Sequence, residues 1–254
     1  MKNIFKIFSF IFILNFVFAE NLKIGASVTP HAEILNFVKD KLKKEGINLE
    51  VFEFNDAVIQ NIKVDSGELD ANFFQHEPFL LEFNEAKGTN LVKVAPIHIE
   101  PMGVYSKKYK SFQPKDGAKI SIPNNPTNES RALRIVESAK LIRLNDKELV
   151  TPLDIVHNPK NLDFIELKDA QLTRSLDDVD YSLINSNFAI QAGLSPVKDS
   201  LFTESKYSEY ANIIVVKKGN EKSPKIKALV KALQSEEVKK FIQDKYKGAV
   251  IPAF

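Results

Sequence analysis

Cysteine is missing from all 254 residues. An exported chain without it has no disulfide to staple the fold and no thiol after its leader to take a lipid, so stability has to come from a buried core. Past the N-terminal segment, no apolar run reaches the ~20 residues that a membrane-spanning helix needs. Enzyme signatures are equally scarce: there is no G-x-S-x-G elbow, no Walker phosphate loop, no G-x-G-x-x-G and no S-x-x-K. The histidines His31, His76, His98 and His157 stand singly, with no H-x-x-x-H or H-E-x-x-H pair to bind a metal from one helix face. No catalytic residue, metal or cofactor is therefore expected. Excess charge is lacking too. The chain has 35 basic and 33 acidic residues, and two of the lysines, Lys2 and Lys6, belong to the leader. The remainder is formally neutral, which gives nucleic acid no electrostatic footprint to bind.

What is present begins with Met1–Ala19, in which those two lysines accompany an apolar stretch from Ile4 to Phe18 and Ala19 precedes Glu20. This reads as a secretory signal peptide, residues 1–19, cleaved after Ala19. A soluble periplasmic product without a lipid anchor is expected. From Leu22 onward strand-like and helical segments alternate, the pattern of an α/β protein with parallel sheets. Leu22–Ser27, Leu49–Phe54 and Leu69–Phe74 read as strands of one sheet, with Ile34, Leu35, Phe37, Val38 and Leu42 forming the apolar face of the first helix. Lys119–Ile122, Leu162–Glu166 and Asp180–Ile184 read as strands of a second sheet. Near the end, Ala211–Val216 reads as a strand and Pro224–Tyr246 as one long amphipathic helix. No Pro/Gly/Ser-rich linker divides the chain, so two sheets imply crossings between two lobes, placed at His98–Tyr105 and Tyr210–Val216. The predicted division is 20–103 with 212–254 for the first lobe and 104–211 for the second. A ligand cleft is expected between them.

Two segments carry chemistry. In Lys119–Arg131, a strand end is followed by Asn125, a good N-cap, then Pro126 at the first helical position, with Arg131 in the second turn. Helix N–H groups and a guanidinium would then converge on one spot, a device for gripping a carboxylate. An ordinary capped surface helix with a solvated arginine is the other reading of the same residues. The second segment is Asn72–Phe79, in which three phenylalanines surround His76 and two amides. At a strand's carboxyl end it suits an apolar pocket with a few orienting polar groups, or else plain core.

Several runs resemble, in order and over nearly the whole chain after the leader, the methionine-binding substrate-binding proteins of the NlpA/MetQ lipoprotein family. They are Gly67–His76, Glu100–Lys108, Ile122–Glu129, Leu176–Asp180, Gln191–Leu194 and Tyr246–Pro252. The resemblance implies a two-lobed α/β periplasmic-binding-protein fold of type II, working as a monomer. It would close over a small-molecule ligand, L-methionine or an analogue, and hand it to an ABC transporter permease in the inner membrane. It further implies that Arg131 forms a bidentate pair with the ligand carboxylate, that Asn185 and Asn212 contact the amino-acid backbone, and that Glu100 offsets the ammonium. Phe74, His76 and Phe79 would line the side-chain pocket, where aromatic faces suit a polarizable thioether. The sequence departs from the family at Ala57 and Phe79, where tyrosine is common, and at Ser186 and Phe188. A methionine derivative or a short peptide is therefore the alternative ligand, and an enzyme or a surface antigen on the same bilobal scaffold is the alternative class.

Overall fold

Leu22, Ile24 and Ala26 are buried in the strand Glu20–Ala26 (β1), whereas Lys23 between them is exposed, as the two-residue repeat of a strand requires. The computed structural model describes residues 20–205 and 209–254, so the leader Met1–Ala19 lies outside the described residues. Helix α1 (Glu33–Lys44) packs Ile34, Leu35, Val38 and Leu42 against the sheet. Phe37, expected on the same face, lies on its flank and stacks on Phe241 at 4.3 Å. The chain continues through β2 (Ile47–Glu53), α2 (Ala57–Ser66), β3 (Ala71–His76), α3 (Glu77–Lys87) and β4 (Leu91–Ile99). Asp56 caps α2 by accepting from the Ile59 N–H at 3.0 Å, and Gly67 ends that helix at φ 83°, where a side chain would be strained.

A second unit follows: β5 (Gly103–Tyr105), β6 (Lys119–Pro123), α4 (Pro126–Ser138), a small hairpin of β7 (Arg143–Leu144) and β8 (Ile155–His157), β9 (Asp163–Leu167), α5 (Leu172–Ser175), β10 (Tyr181–Ile184), α6 (Ser186–Gln191) and β11 (Phe202–Thr203). The chain then returns as β12 (Ala211–Lys217) and finishes with α7 (Pro224–Leu233), α8 (Glu236–Tyr246) and β13 (Ile251–Pro252). The first sheet runs β13-β4-β12-β3-β1-β2 and the second β11-β5-β10-β6-β9. Each has its own core, Ile24, Phe73, Ile97 and Leu229 in one and Val104, Ile120, Leu133 and Leu183 in the other.

The sheets are mixed, not parallel as expected. β1 pairs in parallel with β2 and β3, and β6 with β9 and β10, but β12 is antiparallel to both β3 and β4, and β5 to β10. The reason is the double crossing: strands that enter a sheet from the cleft run against those that end there. Gly103, predicted at the end of the first lobe, pairs with Ile184 and Thr203 in the second sheet, and Ala211, predicted in the second, pairs with Ile99 in the first. The predicted terminal helix is also two helices. Ser235 takes extended angles (φ −84°, ψ 155°) and caps α8, with Glu236 and Glu237 in the acidic first turn that favours a helix start. No described helix is long and apolar enough to cross a membrane.

Candidate ligand-binding site

The parallel strands deliver their carboxyl ends to one place. Ser27 follows β1, Asn55 follows β2, His76 ends β3, Asn125 follows β6, Asp169 follows β9 and Asn185 follows β10; all six line a cavity between the lobes. Glu100 and Asn212, at the crossings, complete it. Its volume is about 100 Å³, and at roughly 10–15 Å³ per water it has space for several water-sized groups. The eight residues singled out in the sequence, Ala57, Phe74, His76, Phe79, Glu100, Arg131, Asn185 and Asn212, all line this cavity. A wider mouth of about 470 Å³ adjoins it, sharing Ser27, Asn55, Asn187 and Phe188.

One end is aromatic. Phe74 and Phe79 meet edge to face at 5.8 Å, with Phe188 and the small Ala57 also lining the space, whereas Phe73 is fully buried in the first core. The two readings of the Asn72–Phe79 segment are thus both realised, on alternate faces of β3. Its amides behave differently: Asn72 and Gln75 bond to buried Asn61 at 2.6–3.1 Å. His76 caps α3, its Nδ1 accepting from the Phe79 N–H at 3.2 Å. That fixes the proton on Nε2, which donates to Asn128 Oδ1 across the cleft at 3.1 Å. Burial, helped by the Arg131 charge, lowers the His76 pKa to about 3, so the ring is neutral.

The other end is polar. Asn125 caps α4, accepting from the Asn128 N–H at 3.0 Å, and Arg131 follows in the second turn with 2 % of its surface exposed. The solvated-arginine reading therefore fails. The expected bidentate fork is, however, already engaged: Nε and NH2 donate to the Glu204 carboxylate, NH2 also to the Glu100 carbonyl at 2.9 Å, and the Tyr210 ring lies 4.3 Å from Cζ. Among the described residues NH1 bonds only to Asn128 Oδ1, at 3.4 Å, and is the nitrogen left for a guest. Glu204 gave no sequence signal, because it reaches Arg131 from 73 positions away.

Glu100 sits on a buried base. Its Oε1 accepts from His98 Nε2 at 2.7 Å and lies 3.3 Å from His31 Nε2, and its Oε2 accepts the Asn187 N–H at 3.1 Å. His31 Nε2 also donates to Asn212 Oδ1 at 2.9 Å. Burial lowers the His31 pKa to about 4 and that of His98 to about 3, and raises that of Glu100. The ligand atoms of His31, His98 and Glu100 lie within 4.8 Å of one another, close enough for a metal ion, yet they are joined by their own hydrogen bonds. Two acceptors on residues that line the cavity, Asn185 Oδ1 and Asp169 Oδ1, lack a partner among the described residues. Asp169 uses its other oxygen to accept from Asn125 Nδ2 at 2.8 Å, and burial pushes its pKa up. Sequence reasoning passed over Asp169, although an acid directly after a strand end at a helix start is a readable signal.

A family model described as NlpA lipoprotein matches residues 22–254. The Bacillus subtilis protein named methionine-binding lipoprotein MetQ is 43 % identical over 241 residues, 92 % of this chain and 88 % of its own. A Burkholderia cenocepacia structure, described as a nutrient binding protein bound to methionine, superposes with a TM-score of 0.89 at 43 % identity, covering 92 % of this chain and all of that one. A Coxiella burnetii structure, described as an ABC transporter periplasmic substrate-binding protein, gives a TM-score of 0.88 at 40 % identity, covering 91 % and 100 %. Such relatives are two-lobed binding proteins. Their names also correct one expectation, that of a protein without a lipid anchor: the matched family and the Bacillus relative are lipoproteins. That expectation rested on the missing cysteine alone, and lacking one attachment chemistry does not place a protein. With the family model matched from residue 22 to the last residue, the chain belongs to the NlpA lipoprotein family.

Proposed function

We propose that this protein binds L-methionine or a close analogue in the cleft and delivers it, chemically unchanged, to the permease of an ABC importer. One observation carries the reading: a cavity at the strand carboxyl ends has aromatic faces at one end and, at the other, unpartnered buried acceptors beside a guanidinium N–H. An α-amino acid fits that division. Its ammonium would meet Asn185 Oδ1 and the Glu100 or Asp169 carboxylate, its carboxylate Arg131 NH1, and its thioether Phe74 and Phe79. The names of the Bacillus and Burkholderia relatives support the ligand, and that of the Coxiella relative supports the transporter. Function as a monomer belongs to the same reading, as does closure of the lobes about the crossings.

Binding to the folded state alone stabilises it by about 2.7 kcal/mol at a ligand concentration ~100 times the dissociation constant. For a chain of this size that corresponds to roughly 5–10 °C. Ligand-stripped protein is expected to show this rise in a thermal-shift panel of amino acids that includes L-methionine. No shift with any of them, together with no small molecule released on denaturation, would remove the reading. A second ligand class, a methionine derivative or short peptide, is favoured by the adjoining mouth of about 470 Å³, into which an extended guest could run.

A further inference from the structure

The polar end of the cavity holds two buried acceptors that lack a partner among the described residues. Arg131 is the cation that lines it, and two of its three nitrogens are held by Glu204 and by the Glu100 carbonyl. Glu204 approaches from behind: it lines a different pocket and is anchored by the Met102 N–H at 2.9 Å. Two acids, Glu100 and Asp169, also line the cavity, and burial raises the pKa of both. The Glu100 oxygens are taken by His98 Nε2 and the Asn187 N–H. Asp169 is the more exposed case chemically: Oδ1 is buried and unpartnered, and its neighbour Asn125 satisfies only Oδ2. The other acceptor, Asn185 Oδ1, is likewise unpartnered.

We infer that the site selects its guest on the ammonium end, with Asp169 as a specificity-determining acceptor, and therefore takes α-amino compounds whose carboxyl is blocked, an amide or the first residue of a peptide. The inference rests on the amino-acid reading of the cleft and sharpens its ligand class. A guest without its carboxylate forfeits one bond, to Arg131 NH1, and leaves that nitrogen still shared with Asn128. A guest without its ammonium leaves Asp169 Oδ1 and Asn185 Oδ1 without a partner, and unpaired buried acceptors are what a pocket rejects most strongly. The carboxyl-blocked end has somewhere to go, because the cavity opens into the mouth through Asn55, Asn187 and Phe188.

The test is calorimetry on ligand-stripped protein at about pH 6.5, below the usual α-amino pKa of about 7.7–8.0. The probes are L-methionine, L-methioninamide and N-acetyl-L-methionine. Methioninamide is expected to bind within about tenfold of methionine, and N-acetylmethionine at least about 100-fold more weakly. Asp169→Asn, which keeps the side-chain shape, is expected to weaken methionine and methioninamide alike, at least about tenfold, and to change N-acetylmethionine little. Tight N-acetylmethionine with no binding of methioninamide would overturn the inference while leaving the amino-acid reading intact, as would wild-type affinity for both amines in folded Asp169→Asn. Absence of binding by all three to the wild-type protein would remove the amino-acid reading itself, and the inference with it.

Discussion

Glu129 on α4 is buried with Oε1 unpartnered, and burial together with Glu166 and Asp154 pushes its pKa up to about 8 from an ordinary 4.5. Between those values the folded chain holds a proton that the unfolded chain has released, so this group makes stability fall as pH rises through the window. Glu129→Gln removes the titration and keeps the shape. The variant is predicted to melt with the wild type near pH 4.5 and above it at pH 8; a constant offset at both would assign the effect to packing. Buried histidines titrate in the opposite sense over part of this range, but they are common to both proteins and cancel in the difference. At this scale, what was legible in the sequence depended on the reach of the partner. Asn125, Arg131 and His76 stand in local patterns of strand end, cap and helix, and they line the cavity together. Glu204, which occupies the arginine fork, follows a distant two-residue strand and has no local pattern.

Elements show the same boundary between local and long-range information. Strands and helices that bury one face were readable from periodicity, and the helix starts from their caps. The antiparallel direction of β12 was not, because it follows from where the chain re-enters the first sheet. The α7/α8 break did have a local signal, Ser235-Glu236-Glu237, which a continuous apolar stripe overrode. His76 links both kinds of information, since it caps α3 and reaches Asn128 on α4. The two roles separate by substitution. His76→Ala is predicted to lose the cap, at about 0.5–2 kcal/mol, whereas His76→Asn retains a capping oxygen but is too short to reach Asn128. Denaturant unfolding is expected to rank wild type and His76→Asn close together and His76→Ala below them. Equal losses for the two variants would mean that the cap contributes little and the cross-cleft bond or the ring packing dominates.

For the whole molecule, the lobes meet around the cavity through few polar contacts, chiefly His76 to Asn128 on one side and, at the crossing, Glu100 to Asn187 and to Arg131. Single hydrogen bonds of this kind are worth about 0.5–1.5 kcal/mol net. They stand against a cavity whose buried acceptors are unsatisfied when it holds no guest, so the balance between open and closed forms falls to the ligand, which shifts it by its differential affinity for the closed form. Small-angle scattering is therefore predicted to show a smaller radius of gyration with saturating L-methionine than without. Asn128→Ala, which deletes the acceptor for His76 and for Arg131 NH1, is predicted to lower methionine affinity by roughly 2- to 10-fold. It is also predicted to leave the ligand-saturated radius unchanged, because added ligand can still drive closure by mass action. A radius that does not respond to ligand in the wild type would mean that the lobes are locked. The few bonds across the cleft would then be supported by packing of α3 on α4 strong enough to hold the cavity shut, and ligand entry would have to pass through the mouth between Asn55 and Phe188 alone.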